Sequence, residues 1–433
     1  MKNESTLHTR RQFLRTGVLG GAVAWTLPVF LEKTFLALDA QAADSAIQTV
    51  TGKNGPILVV LQMAGGNDGL NMVVPYADDA YHIARPKIGI AADQVLKVTD
   101  TIGFNPKLTG LRGLYDSGNL ALIQGVGYPN PNRSHFRSTD IWQTASDSNR
   151  YEREGWIGRY FDACCKGADP AVGISVGSQA PLAFTAQTPT GISFAKPEQF
   201  RFISEVADDP AGTEETFRGM NSEDDSGGSV QSYAGKAPTG GDTLDYLRRT
   251  ALDAQVSSDK ILAITSKAHS NTTYPNNQLG SSLNLVARLI AGGMPTRVYY
   301  VSQGGYDTHA NQAGSHDRLM GDLDASIQAF VKDLKEQGNF DRVTLMTFSE
   351  FGRRVVENNS GGTDHGAAAP MFVLGGGVKA GVYGQQPSLT KLTDGDLLYN
   401  VDFRSVYASI LEKHLKAPSM EILKRKFPLM NFV

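Results

Sequence analysis

The chain has 433 residues, with 41 Lys and Arg against 44 Asp and Glu and a net charge of −3. Its 41% hydrophobic and 20% charged residues are typical of a folded globular protein, and they exclude a disordered or collagen-like chain. The even charge balance leaves no strongly basic stripe, so a nucleic-acid partner is not expected.

Residues 1–42 are predicted to be an export signal. Arg10 and Arg11 precede an apolar stretch from Gly17 to Leu31, and Ala40-Gln41-Ala42 then offers small residues for cleavage. Pro28 interrupts the apolar stretch, which is short for a stable membrane span. The arginine pair resembles the twin-arginine translocation signal, which predicts a periplasmic or extracellular protein with that translocase as its partner during export. The alternative is a chance arginine pair before an uncleaved anchor.

Residues 43–433 are predicted to form one α/β domain. Short apolar runs predict buried strands at 56–63, 120–126, 297–302, 342–348 and 371–374. Apolar residues at helical spacing predict helices at 106–119, 155–166, 243–269, 279–290, 317–337 and 402–415. Strands separated by helices favour a largely parallel sheet covered on both faces. A stretch at 205–242, rich in acidic and small residues, predicts a flexible loop that belongs to a helical insertion at about 205–280.

Polar and charged residues follow the predicted strands at the points where the strands end. Parallel sheets gather their sites beyond the carboxyl ends of the strands. Carboxylates and imidazoles without thiolates suit a divalent cation, and the pattern does not distinguish zinc, manganese, magnesium or calcium. The residues in question are Asp68, Arg133, Ser134, His135, Asp307, His309, Glu350, Asp364 and His365.

Each of these motifs also has a plainer interpretation. Asp68 follows Gly-Gly-Asn and fits a turn, and Asp307-Thr308-His309 fits an Asx turn with a surface histidine. Ser134 fits the cap of a helix beginning near Phe136. Their placement after successive buried strands favours a shared site over these separate explanations.

The order of these motifs resembles the alkaline phosphatase-like superfamily, which includes sulfatases and the cofactor-independent phosphoglycerate mutases. More closely, residues 55–433 resemble a bacterial family of unassigned activity that is related to the sulfatases and exported with twin-arginine signals. The resemblance implies an alkaline phosphatase-like three-layer sandwich. It lies in five motifs: Leu61-Gln62-Met63-Ala64-Gly65-Gly66-Asn67-Asp68-Gly69, Arg133-Ser134-His135-Phe136, Gly304-Gly305-Tyr306-Asp307-Thr308-His309, Phe348-Ser349-Glu350-Phe351-Gly352-Arg353 and Thr363-Asp364-His365-Gly366.

The resemblance also implies roles for single residues. Ser134 stands where a nucleophile is expected, and the metal ligands it implies are Asp68, Asp307, His309, Glu350 and His365. Phe351 departs from the pattern, because a histidine ligand belongs at its position. Either one metal is bound, or His135, His316 or Asp364 supplies the missing ligand, or catalysis has been lost.

Two functions follow as hypotheses. The first is an exported, metal-assisted hydrolase of a small phosphate or sulfate ester, in which His135 activates Ser134 and Arg133 neutralises developing charge. The second is a periplasmic binding or assembly protein that keeps the fold without turnover. Convergence of the predicted site residues around an open coordination position favours the enzyme.

Overall fold

The computed structural model describes residues 55–165, 168–187, 191–199, 257–268 and 270–433. The predicted signal at 1–42 and the predicted loop at 205–242 lie outside the described residues. Of the predicted helical insertion at about 205–280, residues 257–268 and 270–280 are described, and residues 257–267 among them form a helix. The predicted domain boundaries therefore stay predictions.

The described residues form fourteen strands. Nine of them, β1, β5 to β11 and β14, build one sheet, and the others form two small sheets. In chain order the strands are β1 Ile57–Met63, β2 Val73–Val74, β3 Leu96–Lys97, β4 Gly103–Phe104, β5 Leu120–Gly127, β6 Gly173–Val176, β7 Ile192–Phe194, β8 Val298–Gln303, β9 Val343–Phe348, β10 Ala369–Gly375, β11 Gly381–Tyr383, β12 Leu392–Thr393, β13 Asp396–Leu397 and β14 Val401–Asp402.

The main sheet has the strand order β11-β5-β10-β9-β1-β8-β6-β7, with β14 also paired to β5. All of its pairings are parallel except those of β10, which runs antiparallel to both β5 and β9. The prediction of a largely parallel sheet is therefore confirmed. The register places Met63 of β1 beside Gln303 of β8, and Gln62 beside Phe348 of β9. The loops that follow these three strands consequently leave the sheet side by side.

Ten α-helices surround the sheets in the described part of the chain. They are α1 Gly69–Met72, α2 Asp79–Ala84, α3 Thr109–Asp116, α4 His135–Thr144, α5 Trp156–Cys164, α6 at 257–267, α7 Gln278–Ala291, α8 Gln312–Glu336, α9 Phe403–Ser409 and α10 Ser419–Ile422. Helix α9 continues as a π-helical turn at Ile410–His414. The predicted helices at 106–119, 155–166, 279–290 and 402–415 match α3, α5, α7 and α9 with its extension. The predicted helix at 317–337 begins five residues earlier, at Gln312, which brings His316 into the helix.

Two hydrophobic cores cover the two faces of the main sheet. Val59 and Leu61 of β1 face one core, which contains the apolar side chains of α3, α7 and α8. Leu58 and Val60 face the other core, which contains those of α4, α5 and α9. Alternate residues of a strand point to opposite faces, so a strand that is apolar throughout must be covered on both. The result is the predicted three-layer α/β arrangement.

The described helices include none that is both long and apolar enough to cross a lipid bilayer.

Candidate metal centre

The loops after β1, β8 and β9 pack closely at the carboxyl edge of the sheet. Gly65 lies in the first loop with a φ of 123°, a conformation that favours glycine. A Cβ atom on Gly65 would lie 2.5 Å from the backbone nitrogen of Asp307 in the loop after β8. Glycine therefore allows the first loop to bring its neighbours together around Asp307.

Three histidine rings converge on the Asp307 carboxylate. Nε2 of His309 and Nε2 of His365 each lie 3.1 Å from Asp307 Oδ1, and Nε2 of His135 lies 3.5 Å from the same oxygen. Nε2 of His309 also lies 2.9 Å from Nε2 of His365. We call His135, Asp307, His309 and His365 the open cluster, because their side chains keep 22–49% of their surface exposed.

Each ring is oriented by a partner at its other nitrogen. Nδ1 of His365 lies 2.9 Å from the carbonyl oxygen of Arg133, which can only accept, so this nitrogen carries the proton. Nδ1 of His135 lies 2.8 Å from Glu350 Oε1, and Nδ1 of His309 lies 3.4 Å from Asp364 Oδ1. A ring that carries its proton on Nδ1 alone offers an Nε2 lone pair to a cation at the centre of the cluster, whereas an Nε2 proton would instead form a hydrogen bond to Asp307.

Asp307 is held as a carboxylate. Burial alone would raise its pKa, but hydrogen bonds from Arg353 and His365 and the charges of Arg353 and His309 outweigh this and lower the pKa to about 2. The Arg353 guanidinium is fully buried and donates 2.8 Å to Asp307 Oδ1. It also donates to the carbonyl oxygens of Gly65, Tyr306 and Thr363. Arg353 thus joins the loops that carry the cluster.

The donor atoms fit a divalent cation. Ligand atoms of His135, Asp307 and His365 all lie within 4.8 Å of one another. Nε2 of His135 is buried without a hydrogen-bond partner in the described structure, and the Nε2 atoms of His309 and His365 lie 2.9 Å apart. Tetrahedral nitrogen and oxygen ligands about 2.0–2.1 Å from zinc lie about 3.3–3.4 Å apart, close to the spacings seen here. The arrangement is thus that of a possible His/Asp/His metal site.

Phe351 fills the space beside the open cluster. Its side chain is buried, and its ring centroid lies 4.8 Å from that of His135 and 4.6 Å from that of His365. A Cβ atom on Gly66 would lie 2.3 Å from the Phe351 ring, so the ring packs tightly against the first loop as well. A phenyl ring thus occupies the place where the resemblance implies a ligand, and it packs against the two histidines.

Glu350 contacts His135 at Nδ1, the ring nitrogen that faces away from Asp307. Its Oε1 accepts from the backbone nitrogen of Gly65 at 2.8 Å as well as from His135. A carboxylate that accepts from the far nitrogen of a ligating histidine fixes the ring and makes it a better ligand. The structure therefore places Glu350 as a support for His135, while direct ligation by Glu350 stays a prediction.

Asp68 lies in a separate, fully buried group of polar side chains. Arg85 Nη1 donates to Asp68 Oδ2 at 2.6 Å, and Gln312 donates to the same oxygen. Nε2 of His316 lies 3.0 Å from Asn67 Oδ1. We call Asn67, Asp68, Arg85, Gln312 and His316 the closed cluster. Burial would raise the pKa of Asp68, but the charge and hydrogen bond of Arg85 together with His316 and Gln312 lower it.

The structure places Asp68 in an ion pair, although Asp68 Oδ1 has no hydrogen-bond partner in the described part of the chain. Its role as a metal ligand stays a prediction. His316, which the sequence offers as a replacement ligand, belongs to this closed cluster and not to the open one.

Ser134 is the residue that precedes α4, and its hydroxyl is exposed and makes no capping hydrogen bond. Ser134 therefore occupies the predicted helix-capping position, but its side chain makes no capping hydrogen bond. Arg133 contributes its backbone oxygen to His365, and its side chain pairs with Asp396 Oδ2 at 2.5 Å. The nucleophilic role of Ser134 and the charge-neutralising role of Arg133 stay predictions.

Solved structures of similar architecture include members of the alkaline phosphatase superfamily. A protein of that superfamily from Vibrio parahaemolyticus is 8% identical over 93% of this chain and 78% of its own, with a TM-score of 0.38. The PsFucS1 sulfatase from Pseudoalteromonas sp. is 10% identical over 92% and 72%, with a TM-score of 0.34. The C-terminal periplasmic domain of EcEptC from Escherichia coli, in complex with Zn, is 10% identical over 78% and 77%, with a TM-score of 0.32. Likeness at this level gives no information about activity.

A comparison with curated proteins finds no match. The family described as "Protein of unknown function (DUF1501)" matches residues 122–419, more than half of the chain. This match spans every member of the open cluster, from His135 to His365. The chain therefore belongs to the DUF1501 family.

Proposed function

We propose that the chain is an exported metal-dependent hydrolase of small phosphate or sulfate esters, with one divalent cation held by the open cluster. The observation that supports it best is the orientation of the three histidines, whose Nδ1 atoms are satisfied while their Nε2 atoms converge on Asp307. A cation at the centre would accept the Nε2 lone pairs of His135 and His365 together with the Asp307 carboxylate as ligands.

His135, Asp307 and His365 would hold the cation, which leaves a coordination position free for a substrate oxygen. A divalent cation bound there would polarise a phosphoryl or sulfuryl oxygen. Three protein ligands with an open position are typical of catalytic sites, whereas four protein ligands are typical of structural ones. The role of the fourth residue, His309, therefore distinguishes the proposed enzyme from a binding protein without turnover.

His309 lies at the exposed side of the cluster. Its side chain is 45% exposed, and Asp364 and Asp307 contact its two nitrogens. In the proposed enzyme His309 holds a proton for the leaving group of the ester. In a binding protein without turnover, His309 would instead complete the shell as a fourth ligand.

Ser134 is the proposed nucleophile. Its hydroxyl is exposed, it is adjacent to His135 in the chain, and no capping hydrogen bond engages it. Serine needs an adjacent base or metal to react at neutral pH, and the open cluster supplies both kinds of group.

The experiment measures metal content and turnover of a panel of phosphate and sulfate esters for the wild type, Ser134→Ala, His309→Ala and the control His82→Ala. His82 contacts the Tyr76 carbonyl oxygen instead of the cluster. We expect Ser134→Ala and His309→Ala to keep the metal and lose turnover, with the control unchanged. Loss of metal in His309→Ala, together with an inactive wild type, would support the function of a binding protein instead. Full turnover in Ser134→Ala would remove Ser134 as the nucleophile.

The export route is a separate part of this proposal. Arg10 and Arg11 are the residues that a twin-arginine signal requires. Replacing both by Lys is expected to abolish the processed periplasmic form, detected by fractionation and blotting. Normal processing in cells that lack the twin-arginine translocase would contradict it.

A further inference from the structure

A second polar site lies at the far end of α4 from the open cluster. A cavity of about 100 Å³ is lined by five basic and two acidic side chains, with Ser146 among the other lining residues. Helix α4 begins at His135 and ends at Thr144, so its ten residues separate the two sites by about 15 Å of helix. One water molecule needs about 10–15 Å³ of cavity volume, so this cavity has room for a small polyatomic ion.

Arg159 gives this cavity a buried positive charge that forms no ion pair with the described residues, although Glu152 and Glu154 attract it from a longer distance. Its side chain is 7% exposed, and its three nitrogens donate to the carbonyl oxygens of Ile422, Glu154 and Thr144 at 2.5–2.7 Å. No carboxylate of the described residues lies within ion-pair distance of it. A buried cation without a close counter-ion is costly, so this position is suited to an anion.

Most of the other charged residues that line the cavity are already in ion pairs. Arg404 pairs with Asp147 and Asp402, and Arg425 also pairs with Asp147. Lys424 pairs with Glu152 and Glu154. Arg150 is exposed, and its side chain has no carboxylate partner in the part of the chain that the structure describes. With Asp402 and Glu154 counted, which pair with the lining residues from outside the cavity, five basic and four acidic groups leave a net charge of +1.

Ser146 supplies a neutral donor at the same place. It is 6% exposed, lines the cavity, and its hydroxyl has no hydrogen-bond partner in the described structure. A buried hydroxyl without a partner is rare in folded proteins, and an oxygen atom of a ligand would satisfy it. The hydroxyl is thus an observation independent of the charge excess.

We propose that this cavity binds one tetrahedral oxyanion of the class of inorganic phosphate or sulfate. Guanidinium groups match the paired oxygens of such an ion, and a serine hydroxyl donates to a third oxygen. The site is distinct from the open cluster and does not depend on the proposed ester hydrolysis.

The experiment titrates metal-stripped protein with inorganic phosphate and with sulfate by calorimetry, with chloride at equal ionic strength as the reference. The His365→Ala variant is titrated in parallel, so that binding at the open cluster is separated from binding in the cavity. Ser146→Ala and Arg150→Ala test the cavity, and Lys107→Ala, an exposed residue beside α3, is the matched control for a lost charge. Arg159 is left intact, because its contacts to three carbonyl oxygens serve the fold.

We expect one ion per chain in the wild type, His365→Ala and Lys107→Ala. We expect at least about tenfold weaker binding in Ser146→Ala and Arg150→Ala, since hydrogen bonds to charged groups contribute about that factor or more. The proposal is overturned if neither ion binds saturably, or if both cavity variants bind as tightly as the wild type. Binding that disappears in His365→Ala alone would assign the ion to the open cluster and equally overturn it.

Discussion

The open and closed clusters lie beyond the ends of neighbouring strands, and both contain carboxylate and histidine, yet they differ in how charge is balanced. In the closed cluster, Arg85 and Asp68 are fully buried and neutralise each other. In the open cluster, three histidines and Arg353 surround one carboxylate, and the Nε2 atoms of the histidines converge on it. A cluster that neutralises its own charge stabilises the fold, whereas a cluster whose ligand atoms converge on one point is suited to a cation.

The largest effect is expected in the closed cluster. Arg85→Met leaves the Asp68 carboxylate buried and unpaired, so we expect a loss of about 3–5 kcal/mol in the free energy of unfolding. Urea unfolding of the metal-free protein measures it. The control is Arg112→Met, which removes an exposed pair with Asp116 and should cost less than about 1 kcal/mol. Equal losses in the two variants would show that the closed cluster does not stabilise the fold.

Substitutions that affect the open cluster should change metal affinity and leave the stability of the metal-free protein unchanged. Glu350→Gln weakens the acceptor that orients His135, and such supporting contacts are typically worth about 10–100-fold in metal affinity. Competition with a chelator measures the change. Glu336→Gln, whose carboxylate contacts Thr272 and Lys332, is the control and should bind metal as the wild type does. A wild-type affinity in Glu350→Gln would exclude this supporting role.

The contrast between the clusters explains what the sequence predicts and what it misses. The apolar strands and the glycine loops place Asp307, His309 and His365 together, because the ends of parallel strands meet at one edge. The pairing of Asp68 with Arg85 is missed, since Arg85 lies in no strand-end motif and the contact depends on how the segment at the end of α2 packs. Residues that serve as internal counter-ions carry no local signal in the sequence.

Two further residues show the same limit. Arg353 belongs to one of the five sequence motifs, but the sequence does not predict that it is buried among carbonyl oxygens of three loops. Phe351 was identified as a departure from the expected pattern, but its packing on His135 and His365 required the fold. The antiparallel direction of β10 was likewise not predicted, because strand direction depends on connections and not on the strand itself.

A smaller effect concerns pH and the closed cluster. Burial lowers the pKa of His316 from its usual 6.5, and the opposing charge of Asp68 does not restore it. As the pH falls below about 6.5, the unfolded chain takes up a proton that the folded chain does not, so stability decreases. His316→Gln should reduce this slope in urea unfolding at pH 7.5 and 5.5. Part of the pH dependence of stability should remain in this variant because His414 is also buried, and its burial lowers its pKa to about 4. An unchanged slope in His316→Gln would contradict the assignment.

The smallest effect is expected at the entrance to α4. Ser134→Ala should change the free energy of unfolding by less than about 0.5 kcal/mol, because the Ser134 hydroxyl makes no capping hydrogen bond. Thermal unfolding measures it. A loss near 1 kcal/mol is the value typical of a working cap and would show that the hydroxyl does cap the helix in solution.

The most direct test of the account is the number of divalent ions that the open cluster binds. Metal-stripped wild type, Asp307→Asn and the control His82→Ala are titrated in turn with zinc, manganese, magnesium and calcium by calorimetry. The account predicts one ion per chain for at least one of these metals in the wild type and in His82→Ala, and binding weakened by at least about 100-fold in Asp307→Asn, since a lost ligand costs more than a lost supporting contact. A wild type that binds none of the four ions, or an Asp307→Asn variant that binds as tightly as the wild type, would contradict it.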